Sequence, residues 1–227
     1  MTSVIGNFQQ VHSRIASACA SAGRPVQAVT LLAVSKTQSA AAVREAVAAG
    51  QLAFGENYVQ EALDKMAALA DLRERLQWHL IGPLQSNKTR VVAEHFDWVH
   101  SVDRLKIAQR LSEQRPAHLP PLQLCLQVNI SGEASKSGVA PGEVAALAHA
   151  VAALPRLRLR GLMCIPEPTA DLARLRARFA ALRRLRDELV AAGLALDTLS
   201  MGMSHDIEPA IAEGATIVRV GTAIFGE

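Results

Sequence analysis

Strand-like and helix-like stretches alternate eight times along this chain, and that alternation limits the fold more than any other feature. Short apolar runs at 30–36, 52–56, 78–81, 98–102, 122–129, 157–164, 196–200 and 216–220 read as strands. They lack a polar face, as strands of a buried parallel sheet do. Helical patterns fill 39–49, 58–76, 86–95, 103–114, 142–153, 171–192 and 206–213, after an opening helix at 3–22. Ser39, Ser86, Asp103 and Asp206 stand where helix caps belong, and Gly23, Gly50, Gly193 and Gly214 where helices stop. In the opening helix Val4, Ile5, Phe8, Val11 and Ile15 form the inward stripe. Regular alternation predicts a parallel sheet with right-handed crossovers. Eight units in 227 residues, near the usual size of about 250, predict an α/β fold closed as a (β/α)8 TIM-type barrel. An open doubly wound sheet wants a glycine-rich turn after its first strand, and Ser35-Lys36-Thr37-Gln38 is not one. Since no linker or compositional shift divides the chain, residues 1–227 are expected to form a single domain.

Composition narrows the function classes. The cysteines Cys19, Cys125 and Cys164 show no CxxC spacing and read as reduced core thiols of a cytoplasmic protein. The N-terminus has no leader pattern, and no apolar run is long enough for a bilayer, so no membrane partner is expected. Net charge is +3, with arginines gathered at 156–160 and 174–186. With aromatics at 4% there is little to stack on bases, and nucleic acid is not expected as a partner. Leu172, Leu175, Phe179, Leu182, Leu185 and Leu189 make one helical stripe, which leaves most of the nearby arginines on the solvent face.

The first strand ends in Lys36. A lysine closing a buried strand either snorkels into water or serves as a neutral amine nucleophile that forms Schiff bases with carbonyl compounds. In a barrel of this type the active face lies at the C-terminal strand ends, with a phosphate commonly held after strands seven and eight. The turn Ser200-Met201-Gly202-Met203-Ser204 and the pair Gly221-Thr222 occupy those positions. Arg219 alternates with Val218 and Val220, so it points into the barrel and needs an acceptor: a heteroaromatic nitrogen, or a carboxylate such as Glu56. Other residues at strand ends complete the candidate set. Asn57 suits a ring hydroxyl, His79 either a ligand or a satisfied core position, and Met163 packing. His205 is expected to face solvent, and Lys136 reads as a loop lysine or a transient acceptor of an aldehyde.

Several ordered blocks resemble the pyridoxal phosphate homeostasis (binding) protein family, related to the N-terminal barrel of alanine racemase. They are Ala33-Val34-Ser35-Lys36, Phe54-Gly55-Glu56-Asn57-Tyr58, Trp78-His79-Leu80-Ile81-Gly82, Val128-Asn129-Ile130-Ser131, Gly161-Leu162-Met163, the 199–204 turn and Arg219-Val220-Gly221-Thr222. The resemblance implies a fold-type III protein carrying pyridoxal 5'-phosphate covalently on Lys36. It implies phosphate contacts from Ser200, Gly221 and Thr222, with Arg219 facing the pyridine nitrogen. It further implies a non-catalytic carrier that balances cofactor and amino-acid pools and passes cofactor to apo pyridoxal phosphate enzymes, and the lack of a second domain favours a monomer. The alternative is a weak amino-acid racemase. Two-base racemisation needs a second acid/base, which relatives take from a tyrosine of another domain and subunit. The only tyrosine here is Tyr58.

Overall fold

The computed structural model describes residues 3–133 and 137–226. Lys136 lies outside the described residues. Eight strands close into one barrel in sequence order, every neighbouring pair parallel. They are Thr30–Val34 (β1), Ala53–Glu56 (β2), Gln77–Leu80 (β3), Trp98–Val102 (β4), Leu122–Gln127 (β5), Leu157–Met163 (β6), Thr198–Ser200 (β7) and Ile217–Val220 (β8). The helices are Val4–Ser21 (α1), Ala40–Ala48 (α2), Val59–Ala68 (α3), Thr89–His95 (α4), Leu105–Gln114 (α5), Val144–Ala152 (α6), Leu172–Ala191 (α7), Ile207–Ala212 (α8) and Thr222–Phe225 (α9).

Alternation along each strand sorts side chains into two cores. Outward residues such as Phe54, Trp78, Val99, Leu124, Leu162, Leu199 and Val218 join the helix faces in one continuous layer around the barrel. Inward residues Leu32, Ala53 and Ile217, with Ile81 and Trp98 against them, fill the interior apart from that layer. The wall is tightest where β6 meets β7. A Cβ on Gly161 would stand 1.8 Å from the Thr198 carbonyl oxygen, so only glycine fits there.

Some local expectations give way to tertiary contacts. β1 stops at Val34 rather than Lys36, because Thr37 takes a left-handed φ of 64° and turns the chain. The helix expected over 58–76 ends at Ala68, and a 3₁₀ turn (Ala70–Leu72) lets both Leu69 and Leu76 reach the core. Ser3, Ser39 and Asp171 cap their helices by accepting from Gly6, Ala42 and Arg174. Ser86, Asp103 and Asp206 make no such bond. A 3₁₀ turn over Ser86–Lys88 precedes α4, Arg104 is the residue before α5, and the Asp206 carboxylate turns back to the Met203 N–H. In the inward stripe of α1, Val4 packs against the core half-buried and Phe8, Val11 and Ile15 are buried, but Ile5 is exposed, and so is Leu172 in the first turn of α7. The arginines of α7 are tied down as well as solvated. Arg176 and Arg183 pair with Glu213, and buried Arg178 pairs with Glu167. The cysteines are free and buried. Among the described residues no helix is long and apolar enough to cross a membrane.

Candidate functional site

The C-terminal ends of the strands surround a cavity of about 360 Å³. β1 delivers Val34 and, two residues on, Lys36 to its wall; Asn57 follows β2 and Ile81 follows β3. Ile165 follows β6, Met203, Ser204 and His205 follow β7, and β8 supplies Arg219 with Gly221 and Thr222 just beyond it. Ser35 is buried while Lys36 is exposed, so the polypeptide dips into the wall and the amine side chain emerges at the cavity. The thiols of Cys125 and Cys164 are each pushed up to about 12 by burial, which keeps them protonated and inert. Lys36 carries the amine among the residues that line the cavity.

At one end of the cavity the hydroxyls of Thr222 and Ser204 are 3.2 Å apart, Thr222 donating. Gly202 shapes the approach to them: its φ is +97°, and a Cβ there would come within 2.6 Å of the Ala210 Cβ. Burial raises the Asp206 carboxyl, against the pull of the Met203 N–H that it accepts at 2.5 Å.

The floor is polar and buried. Arg219 is buried; its Nη1 donates to Ser200 Oγ at 2.7 Å and its Nη2 to the Cys164 carbonyl at 2.9 Å. The Glu56 acceptor that the sequence allows is not used, because Glu56 faces outward to Ser35 and Lys65. From Ser200 the chain of bonds continues to His100 Nδ1 at 2.8 Å and from His100 Nε2 to His79 Nδ1 at 2.9 Å. Arginine has no acceptor, so Arg219 donates to Ser200; beyond Ser200 the donor and acceptor roles of the ring nitrogens follow from the histidine tautomers. His79 Nε2, at the far end, is buried with no partner among the described residues. His79 also stacks on Trp98, ring centroids 5.2 Å apart. Desolvation lowers His79 to about 3 and takes His100 well below the ordinary histidine value, helped by the facing His79 and Arg219. Both imidazoles are neutral at physiological pH, so within this chain of bonds the charge lies on the guanidinium.

The structure thus brings Lys36, Asn57, Arg219, Gly221 and Thr222 together in one wall. Ser200 and His79 lie beneath it as links of the relay, and Met163 and Met201 are fully buried. His205 is exposed, and it lines the rim as well. Sequence reasoning missed Ile81, Ile165 and His100. The first follows β3 directly, and His100 shares an inward face with Trp98, so alternation alone pointed to both. Ile165, between Cys164 and Pro166, carries no such signal.

Comparison with known proteins agrees along the whole length. The alanine racemase N-terminal domain family matches residues 7–227. The pyridoxal phosphate homeostasis protein of Pseudomonas aeruginosa is 66% identical over 226 residues, covering 100% of this chain and 96% of that one. The protein of the same name from Escherichia coli is 54% identical over 232 residues, covering 100% and 97%. The structure of PipY from Synechococcus elongatus with pyridoxal phosphate bound superposes with a TM-score of 0.83 at 46% identity, covering 93% of this chain and 100% of that one. Alanine racemase from Corynebacterium glutamicum, 19% identical with a TM-score of 0.70 over 96% of this chain and 60% of its own, shares the fold.

Proposed function

Because this chain belongs to the pyridoxal phosphate homeostasis protein family, built on the alanine racemase N-terminal domain, we propose that its cavity binds pyridoxal 5'-phosphate as a Schiff base on Lys36. The observation that carries this reading is the shared wall of Lys36 and Arg219, with a hydroxyl pair at one end. The residues fit the group. Thr222, Ser204 and the backbone at Gly221, packed so closely that a Cβ would lie 3.1 Å from the Val34 carbonyl oxygen, suit a phosphate. Asn57 suits the ring hydroxyl, and Arg219, a donor only, suits an unprotonated pyridine nitrogen. Ser200 and His79 serve the site from below by holding Arg219 in place, while Met163 and Met201 pack behind it.

When bound, the cofactor supplies an electrophilic aldehyde whose ring can also act as an electron sink. An arginine at the ring nitrogen weakens that sink by leaving the nitrogen unprotonated. The remaining acid/base equipment is also thin. Tyr58 is 59% exposed and belongs to a neighbouring depression with Pro83 and Lys88, outside the wall that holds Lys36. We therefore read the protein as a monomeric cytoplasmic carrier that takes part in cofactor and amino-acid homeostasis and hands pyridoxal phosphate to apoenzymes. It catalyses no reaction of its own.

The test is a titration with pyridoxal phosphate followed by absorbance, run beside an incubation with amino acids in deuterated water. Expected are a visible band that Lys36→Ala abolishes and no exchange of the α-hydrogen. Rapid exchange that depends on Lys36 would make the protein a racemase-type enzyme instead.

A further inference from the structure

The backbone on both sides of Lys36 is fastened to a buried charge cluster that the cavity does not contain. Lys65 of α3 is 5% exposed and spends its three ammonium donors on the Ser35 carbonyl, on Glu56 Oε1 at 2.8 Å and on Glu61 Oε1 at 2.6 Å. Glu56 Oε1 also accepts from the Ser35 hydroxyl at 2.6 Å. Glu61 Oε1 also accepts from the Thr37 N–H at 2.5 Å. Residues 35 and 37 are thus both tied to α3, and Lys36 between them is not.

The tie at Thr37 holds an unfavourable backbone. A β-branched residue in the left-handed region is strained and persists only where its surroundings over-determine it. Thr37, at φ 64°, meets that description through its bond to Glu61 and its own hydroxyl's bond to the Lys36 carbonyl at 2.6 Å. The same turn ends β1 and directs the Lys36 side chain to the cavity. The arrangement is expensive in a second respect: Glu56 Oε2 is buried without a partner, and burial raises the Glu56 carboxyl despite Lys65 and Ser35. A cluster kept only for stability has no need of an orphaned carboxylate oxygen.

We propose that Lys65, with Glu56 and Glu61, is a positioning device for the anchor lysine, clamping the Ser35–Thr37 turn so that the Lys36 amine faces the cofactor. The proposal rests on the reading of Lys36 as the point of attachment. Release of cofactor adds one water across the C=N bond and returns free aldehyde and free amine. A loosened turn lets the amine drift after that step instead of recapturing the aldehyde, so release quickens.

Glu61→Ala removes the Thr37 acceptor without stranding a buried charge. It is the variant of choice because Lys65→Met threatens the fold. Two readouts apply. In the apo protein, hydrogen exchange at the Thr37 amide reports the tie itself; in the loaded protein, transfer of pyridoxal phosphate to an excess of an apoenzyme reports release. Glu61→Ala is expected to raise both rates by about tenfold or more. Glu61→Gln, which keeps the acceptor oxygen, should restore most of the difference. Asp64→Ala, on the same helix and bonded only to exposed Gln60, should change neither. Faster amide exchange with an unchanged release rate would overturn the proposal by making the cluster a purely structural tie. Absence of any adduct on wild-type Lys36 would instead overturn the reading of the site, and the clamp would fall with it.

Discussion

Two buried polar clusters flank the same barrel wall and treat charge in opposite ways. Outside it, Lys65 is enclosed by two carboxylates, a carbonyl and the turn it secures, so the cation is spent within the protein. Inside it, Arg219 is enclosed by neutral acceptors, Ser200 Oγ and the Cys164 carbonyl, backed by two histidines that desolvation keeps neutral. The carboxylate that acts on Arg219 is Asp206, which does so without a bond to it and accepts from the Met203 N–H instead. A cation spent on the protein's own carboxylates secures the chain around Lys36; one bonded to neutral acceptors at a cavity floor is suited to a ligand.

The largest effect expected from breaking this contrast comes from the balanced side. Lys65→Met should lower stability by about 3–5 kcal/mol, because Glu56 is stranded in the core. Denaturant unfolding measures it, and a loss under about 1 kcal/mol would show that the cluster is not balanced by Lys65 at all. The mirror experiment is Arg219→Met. Removing this cation should cost less folding energy than Lys65→Met, since no carboxylate is hydrogen-bonded to it and Asp206 keeps its bond to the Met203 N–H, but cofactor affinity should fall by about 2–3 kcal/mol, or roughly 30–150-fold. Equilibrium titration checks the affinity and the same unfolding assay the stability.

Acid sharpens the comparison further. His79 is lowered to about 3 in the fold, against about 6.5 unfolded, so the unfolded state binds the extra proton between those values. Stability is complete above pH 6.5 and declines as pH falls, by about 2 kcal/mol from His79 alone at pH 5. Glu56 acts in the opposite sense, because its raised carboxyl takes up a proton in the folded state first. The difference between wild type and His79→Leu, followed from pH 7 to 5, isolates the histidine. The variant should lose less stability over that range than the wild type. The smallest effect is expected from Ser200→Ala, which cuts the link between His100 and Arg219. Stability should drop by about 1 kcal/mol and affinity by a fewfold, with the fold intact.

The order of elements was legible because apolar runs and helical stripes obey local rules, and all eight strands fall where alternation puts them. Strand ends were less so. β1 reads as running into Lys36 because threonine, unlike glycine, gives no sign of a left-handed turn at 37. The wall residues Lys36, Asn57, Arg219, Gly221 and Thr222 were legible for a geometric reason: parallel strands in a barrel present all their C-terminal ends to one rim. His100 and Lys65 were not singled out. The meaning of His100 depends on Ser200, a hundred positions away in the chain, and that of Lys65 on Ser35. No periodicity encodes such pairings. The burial of Ser200 was hidden for the same reason, since a serine before a glycine turn looks alike whether its hydroxyl faces the cavity or the floor.

Borohydride reduction of the protein incubated with pyridoxal phosphate, followed by peptide mass mapping, tests the central claim most directly. One pyridoxyl adduct is expected, on Lys36, in wild type and in Arg219→Met at saturating cofactor. An unmodified Lys36, or an adduct confined to other lysines, would contradict it.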